Sequence, residues 1–369
     1  MNEKIKINWY RSKVDKQLMK ELMQTSDAKA LCHVLLQLGL FALTGAITYM
    51  AFLNIHGGNW FWALPLMLVA LFVHCTFASF IGIAVPQHEL CHKTPFRTKA
   101  VNEFFLHLYG FIGWVDFIGF RISHVKHHQV TVHDDLDGEV VLPSVIDIRC
   151  IRWLLELLTV NPVPVFNFLR SWVEVAWGDG SKAPFGSEWM RKVLDDAGEA
   201  ARKKHRRWAQ FQVLGHLALA VLFVATGHWF LIVLFTLACF PCRWLSLACG
   251  MTQHMGMTNN VADFRLCCRT FTCGPLLGFL YWNMQYHVEH HMFPAVPFYN
   301  LPRLREAIEH DLPPATHGLW ATWKELIPIV QRQKADPTWS YRPVLPTAGS
   351  PGELVSDEAL QREAAAGTA

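Results

Sequence analysis

Two long apolar stretches without Lys, Arg, Asp or Glu constrain the fold of this chain more than any other feature. Residues 31–53 and 60–87 each exceed the roughly 20 residues that an α-helix needs to cross a bilayer. The short link between them contains Gly57 and Gly58, so we expect two antiparallel transmembrane helices. The composition agrees, because only 17% of residues are charged, against roughly 25% in soluble domains.

Two further apolar stretches predict a second hairpin. Residues 209–226 and 229–251 are separated by little more than Gly227 and His228, and Arg243 can reach the membrane surface from a helix end. Basic residues precede the first span of each pair, whereas both short links lack Lys and Arg. The positive-inside rule then places both termini and the long middle loop on the cytoplasmic side. We expect a multi-pass protein of the inner membrane of a bacterium.

The remaining segments complete the expected organisation. Residues 1–30 are expected to form a cytoplasmic segment, residues 31–335 the membrane domain, and residues 336–369 a disordered tail rich in Pro, Gly, Ala and Glu. Charged residues interrupt the apolar stretches 104–120 and 151–177, which we interpret as re-entrant or interfacial. The net charge of +3 gives no basic field of the kind that nucleic-acid binding needs.

The chain contains 19 histidines, and eight of them form three clusters. The clusters are His88 and His92; His124, His127 and His128; and His287, His290 and His291. On a helix, positions i, i+3 and i+4 share a face, so each cluster projects its imidazoles in one direction. The span count puts all three clusters on the cytoplasmic side, together with His254, which follows the last span. We therefore predict nine converging histidines.

Nine imidazoles are more than one metal ion needs. Imidazole suits Fe, Zn, Cu or Ni, and a zinc ion takes three or four ligands, so the number indicates two metals. An enzyme that acts on hydrocarbon in a bilayer must break an unactivated C–H bond, which side chains alone cannot do. We predict two iron ions as cofactors and O2 as co-substrate.

The clusters have the spacings H-x-x-x-H, H-x-x-H-H and H-x-x-H-H, and the third lies in Tyr-His-Val-Glu-His-His-Met-Phe-Pro at residues 286–294. Over residues 30–310 the chain resembles the membrane fatty acid desaturase and hydroxylase superfamily. The resemblance implies an all-α integral membrane fold, with four transmembrane helices in two hairpins and a cytosolic helical cap that holds a histidine-ligated di-iron site. It also implies O2-dependent introduction of a double bond into a fatty acyl chain. Some relatives have an asparagine ligand where this chain has Gly250, so water would complete that iron.

The resemblance also suggests three carboxylates near the clusters as candidates to orient the ligands. Asp137, Glu139 and Glu289 could each accept the second ring N–H of a ligating histidine and fix its tautomer. We expect no catalytic residue beyond the metal ligands. The chain has no recognisable haem-binding or Cys-rich iron–sulfur segment, so we expect a separate electron donor: ferredoxin, rubredoxin, or a cytochrome with its reductase.

Three alternative functions remain open on the sequence. A di-iron hydroxylase of an alkane, acyl chain or carotenoid would use the same scaffold. His88-Glu89-x-x-His92 also matches the H-E-x-x-H pattern of zinc proteases, although that leaves six clustered histidines unexplained. A haem protein would use the isolated histidines of the apolar stretches, which are His33, His74, His216 and His228.

Overall fold

The computed structural model describes residues 6–83, 85–140, 162–178, 188–346 and 353–355, and within these ranges the chain is mostly helical. The α-helices are α1 (Lys16–Leu22), α2 (Asp27–His56), α3 (Trp60–Gly82), α4 (Val85–His92), α5 (Lys99–Gly113), α6 (Phe117–Val130), α7 (Pro162–Trp177), α8 (Glu188–Asp196), α9 (Glu199–Ala225), α10 (Trp244–Gly250), α11 (Phe264–Cys267), α12 (Pro275–Leu280), α13 (His287–Met292), α14 (Leu301–Ile308) and α15 (Leu319–Ala335). A π-helix covers Ile232–Thr236, and 3-10 helices cover Phe298–Asn300 and Glu309–Asp311. The strands are β1 (Lys6–Asn8), β2 (Phe271–Thr272), β3 (Thr316–His317) and β4 (Glu353–Val355). β1 pairs antiparallel with β4, and β2 pairs parallel with β3.

Three helical stretches of the described chain are long and apolar enough to cross a membrane. They are α2, the stretch of residues 60–92 formed by α3 and α4, and α9. α2 and α3 pack along each other, and their link turns at Gly58, whose φ is 88°. Ser26 begins α2 by accepting a hydrogen bond from the Lys29 backbone N–H, as an N-cap should.

The predicted fourth span, residues 229–251, is wrong as a continuous helix. The structure divides it into the π-helix and α10, with a non-helical segment between them. Two local features explain the break: Pro241 lacks a backbone N–H, and Cys242 adopts a left-handed φ of 56°. The described chain therefore has three helical stretches that are long and apolar enough to cross a membrane, or four if α5 and α6 count as one span.

α5 and α6 meet at a sharp bend of 109°, which is the geometry of a broken span or a re-entrant loop. Trp114 adopts a left-handed φ of 52° at the bend, and Asp116 then caps α6 by accepting a hydrogen bond from the Gly119 N–H. The nearby Gly113 lies against the end of α3, where an added Cβ would stand 2.6 Å from the carbonyl oxygen of Ile81. The bend directs α6 and its histidines toward α4. Of the predicted interfacial stretch 151–177, residues 151–161 lie outside the described residues.

Residues 252–346, which we call the C-terminal lobe, consist of short elements fixed by polar contacts. Arg265 is fully buried, with its guanidinium on the carboxylates of Asp263 and Asp311, both at 2.8 Å. Asp311 also accepts a hydrogen bond from the Tyr10 hydroxyl at 2.7 Å, and the Arg265 guanidinium lies 3.6 Å from the Tyr10 ring. A buried ion-pair network thus joins α11 to the 3-10 helix Glu309–Asp311, and Tyr10 to both.

The N-terminal segment, residues 7–12, covers this lobe. Trp9 stacks on Phe264 with ring centroids 4.0 Å apart, and its indole N–H donates to the carbonyl of Gln129 at the end of α6. Ser12 is buried and donates to the sulfur of Met292. Residues 7–12 therefore join α6 to the lobe.

The first residues of the segment predicted to be a disordered tail are part of the C-terminal lobe. Tyr341 donates its backbone N–H to Gly256 and accepts a hydrogen bond from the Thr258 hydroxyl. Residues 347–352 and 356–369 lie outside the described residues.

Candidate metal centre

The histidine clusters occupy three short helices that converge from distant parts of the chain. The first cluster lies on α4, the second on α6 and the third on α13, while His254 lies in the turn after α10. Each helix places its histidines on one face, as the spacing predicts. The fold thus brings three histidine clusters that are far apart in the sequence into a single buried site.

All nine predicted ligands meet there, in two adjoining groups. The first histidine group contains His88, His92, His124, His128 and His290, whose ligand atoms all lie within 4.8 Å of one another. The second histidine group contains His127, His254, His287 and His291. Six pairs of Nε2 atoms lie 2.8–3.3 Å apart: His92–His124, His124–His128, His128–His290, His127–His291, His287–His291 and His254–His287. Each group therefore aims its ring nitrogens at a shared point.

Two of the predicted carboxylates lie behind these rings. Nδ1 of His124 contacts Glu139 Oε1 at 2.6 Å, and Nδ1 of His127 contacts Asp137 Oδ2 at 2.8 Å. Nδ1 of His254 donates to the carbonyl of Cys267 at 2.9 Å. With the N–H held at Nδ1, the lone pair of each of these rings is at Nε2 and faces the other histidines.

The carboxylate of Glu289 has other partners than the histidine ring N–H that the sequence suggested. Its two carboxylate oxygens accept hydrogen bonds from Thr270 and from Arg305, at 2.6 and 3.1 Å, and so tie α13 to its surroundings. The carboxylate that sequence reasoning missed in this role is Glu89. Its Oε1 lies 3.2 Å from Nδ1 of His88 and 3.4 Å from Nδ1 of His290.

The position of Glu89 bears on the protease alternative. A zinc protease needs this glutamate to face the metal-bound water as a general base. Here the carboxylate is 1% exposed and lies behind two imidazole rings. The sequence feature that could have indicated the role of Glu89 is its position directly after His88.

The rings of α13 and His254 are neutral at neutral pH. Burial, with His127 as the next contribution, lowers the pKa of His254 to about 3. Burial is also the main reason that the pKa values of His287, His290 and His291 lie well below the usual range. A neutral imidazole has one bare nitrogen, so each ring can bind a metal without first losing a proton.

The donor set fits metal ions better than it fits a network of hydrogen bonds. Nε2 of His88 is buried without a hydrogen-bond partner, and Nε2 of His124, whose N–H is held at Nδ1, faces the Nε2 atoms of both His92 and His128. Uncompensated buried polar atoms of this kind cost roughly 1–3 kcal/mol each. Cations at the two shared points would bind the converging lone pairs, and imidazole is a suitable ligand for iron.

A cavity of about 480 Å³ reaches the histidines from one side. His88, His124 and His287 line it at the site, while Ile83, Phe120, Leu247 and Met251 provide apolar wall. The volume is in the range of small-molecule sites, and the walls suit a hydrocarbon. An apolar chain in this cavity would lie against the ring nitrogens.

Comparison with known proteins agrees with this geometry. A family model described as fatty acid desaturase matches residues 62–323, a range that contains all nine histidines. The chain is also similar to a delta(6)-fatty-acid desaturase of Caenorhabditis elegans, with 23% identity over 268 residues. That alignment covers 62% of this chain and 56% of the relative, so the chain spans about half the length of the curated relative it matches.

Proposed function

Since the chain belongs to the fatty acid desaturase family, we propose that it is a membrane-bound, O2-dependent di-iron enzyme that introduces a double bond into a fatty acyl chain. The observation that carries the proposal is the meeting of two histidine groups at one side of an apolar cavity. The nine histidines would hold the two irons. Bound iron, with O2, would supply the oxidising power that removes hydrogen from an unactivated C–H bond.

The protein's own residues hold the ligands and the substrate. Asp137 and Glu139 keep the N–H of His127 and of His124 at Nδ1, which leaves Nε2 of each ring free to bind metal. The apolar wall of the cavity would position a methylene chain and exclude water from the site. The long apolar helices place the enzyme in a membrane, where such chains are concentrated.

The orientation and the electron supply are part of the same proposal. We propose that the start of α9 faces the cytoplasm, because the basic residues there fit the positive-inside rule. The proposed partner is a separate one-electron donor protein on that side. In a bacterium the membrane would be the inner membrane.

The test is mass spectrometry of lipid extracts from cells with and without the gene. We expect unsaturated acyl chains that disappear with His290→Ala and persist with His56→Ala. His56 is exposed at the end of α2, and its hydrogen bond and ring contact are with Phe52 of the same helix. Purified protein should contain about two irons per chain by the ligand count. One zinc and no iron would contradict the proposal, and hydroxylated acyl chains would assign the hydroxylase reaction.

A further inference from the structure

A buried thiol lies beside the second histidine group. Cys268 is 1% exposed, and one ligand atom each of Cys268, His254, His287 and His291 lie within 4.8 Å of one another. Ligands on one ion stand about this far apart or closer, because metal–nitrogen and metal–sulfur distances are about 2.0–2.3 Å. From this arrangement, and building on the proposed function, we propose that Cys268 binds the metal of the second histidine group as a thiolate.

The backbone places Cys268 between the two segments that carry its histidine neighbours. The preceding carbonyl, that of Cys267, accepts the Nδ1–H of His254. The following residue, Arg269, donates its backbone N–H to Gln253 at 2.8 Å and its guanidinium to the carbonyls of Thr252 and Met255. The turn that carries His254 is therefore hydrogen-bonded to both residues that flank Cys268.

The other side of the segment holds α13. The Thr270 hydroxyl accepts the backbone N–H of Val288 at 3.1 Å and donates to Glu289 at 2.6 Å. Thr270 thus sets the position of the helix that carries His287 and His291. Because Cys268 is two residues before Thr270 in an extended conformation, its distance from those histidines does not depend on a flexible loop.

The two groups differ in the number of imidazoles that can share one ion. Five histidines of the first group meet the mutual 4.8 Å limit, whereas around His254 the limit is met by three histidines and Cys268. His127 is outside this set and joins the second group through its 3.3 Å contact with His291. Within the part of the chain that the structure describes, the alternative partner of the thiol is a weak one, the sulfur of Cys267 at 3.9 Å. A thiolate would fill a position that the imidazoles leave open.

The binding step is a simple exchange. The Cys268 S–H bond breaks, the proton leaves to solvent, and a sulfur–metal bond forms, with no change of oxidation state. A bound dication stabilises a thiolate strongly enough to deprotonate the coordinating thiol. The anionic ligand adds electron density to one metal and makes the two metals of the site unequal.

Cobalt(II) is a direct probe, since a thiolate ligand gives it a near-ultraviolet charge-transfer band that imidazole ligands do not give. Full-length protein depleted of metal should develop this band on titration with Co²⁺. Cys267→Ser is the matched control, because Cys267 is adjacent and equally buried. We expect the band in the wild type and in Cys267→Ser but not in Cys268→Ser, whose second Co²⁺ should bind at least about tenfold more weakly.

The proposal fails if the wild type shows no band, or if Cys268→Ser keeps it. X-ray absorption of the iron-loaded wild type gives a second measurement that needs no variant: a sulfur neighbour at about 2.3 Å is expected, and its absence overturns the proposal. Both measurements report coordination and not turnover. A protein that binds Co²⁺ through sulfur but leaves acyl chains saturated would therefore contradict the proposed function alone.

Discussion

Asp137 should be among the most sensitive positions that do not touch the metal. Its carboxylate is fully buried and accepts three hydrogen bonds: Oδ2 from His127 Nδ1 and the Val132 N–H, both at 2.8 Å, and Oδ1 from the Glu139 N–H at 3.0 Å. Asp137→Asn replaces one acceptor oxygen with an NH2 group. If the amide oxygen faces His127, the NH2 faces the N–H of Glu139, so two donors meet.

The cost can be worked out from these contacts. One buried donor without an acceptor costs roughly 1–3 kcal/mol, and the bond from His127 loses about half its strength when its acceptor is no longer charged. Together these terms destabilise the loop by about 2–4 kcal/mol. Because the His127 ring is then less firmly oriented, we expect metal affinity to fall roughly 10- to 100-fold, which is about 1.4–2.7 kcal/mol.

The assay is competition for metal between the purified protein and a chelator of known affinity. The matched control is Asp135→Asn, because Asp135 is exposed two residues away and its φ of 62° suits asparagine. The control should bind metal as the wild type does. Equal metal retention by Asp137→Asn and Asp135→Asn would refute the assigned role of the Asp137 carboxylate.

Three further perturbations test other parts of the structure. Arg265→Met should destabilise the fold by about 3–5 kcal/mol in thermal unfolding, since it leaves Asp263 and Asp311 buried without their cation. The control Arg303→Met removes a half-exposed ion pair, and its thermal unfolding should be nearly unchanged. Gly113→Ala should lower the unfolding temperature, because overpacking of the added Cβ against Ile81 costs about 1–3 kcal/mol. Gly39→Ala should leave the unfolding temperature unchanged, since its added Cβ has no neighbouring atom within 4 Å. Glu89→Gln should lower the iron content measured by elemental analysis, because a neutral amide holds the His88 and His290 rings less well. The control Glu103→Gln changes a partly exposed carboxylate and should retain the iron. Equal iron content in the two variants would argue against the role assigned to Glu89.

The meeting of the histidine clusters was predictable because the signal is local and repeated. The spacing of His124, His127 and His128 fixes a shared helix face, and the same spacing returns at His287, His290 and His291. Hydropathy predicted the long apolar helices for a similar reason, since length and lack of charge are read directly from the chain.

What the sequence did not reveal depends on contacts between distant segments. Glu289 and Glu89 are each adjacent in sequence to a clustered histidine. Of these two carboxylates Glu89 reaches the imidazoles, because Thr270 and Arg305 bind the Glu289 carboxylate. Cys268 has no spacing relation to His287. The break in residues 229–251 was hidden because average hydropathy does not register Pro241, although that residue is a visible local obstacle to a helix.

The N-terminal segment imposes an order on the synthesis of the protein. Tyr10 bonds to Asp311, which follows it by 301 residues, and at about 5–20 residues per second the ribosome needs roughly 15–60 s to make that stretch. Throughout this time Tyr10 is present without Asp311, and for most of it Trp9 is present without Phe264. The Tyr10–Asp311 contact can therefore form only after every histidine of the site has been made, because the last of them is His291.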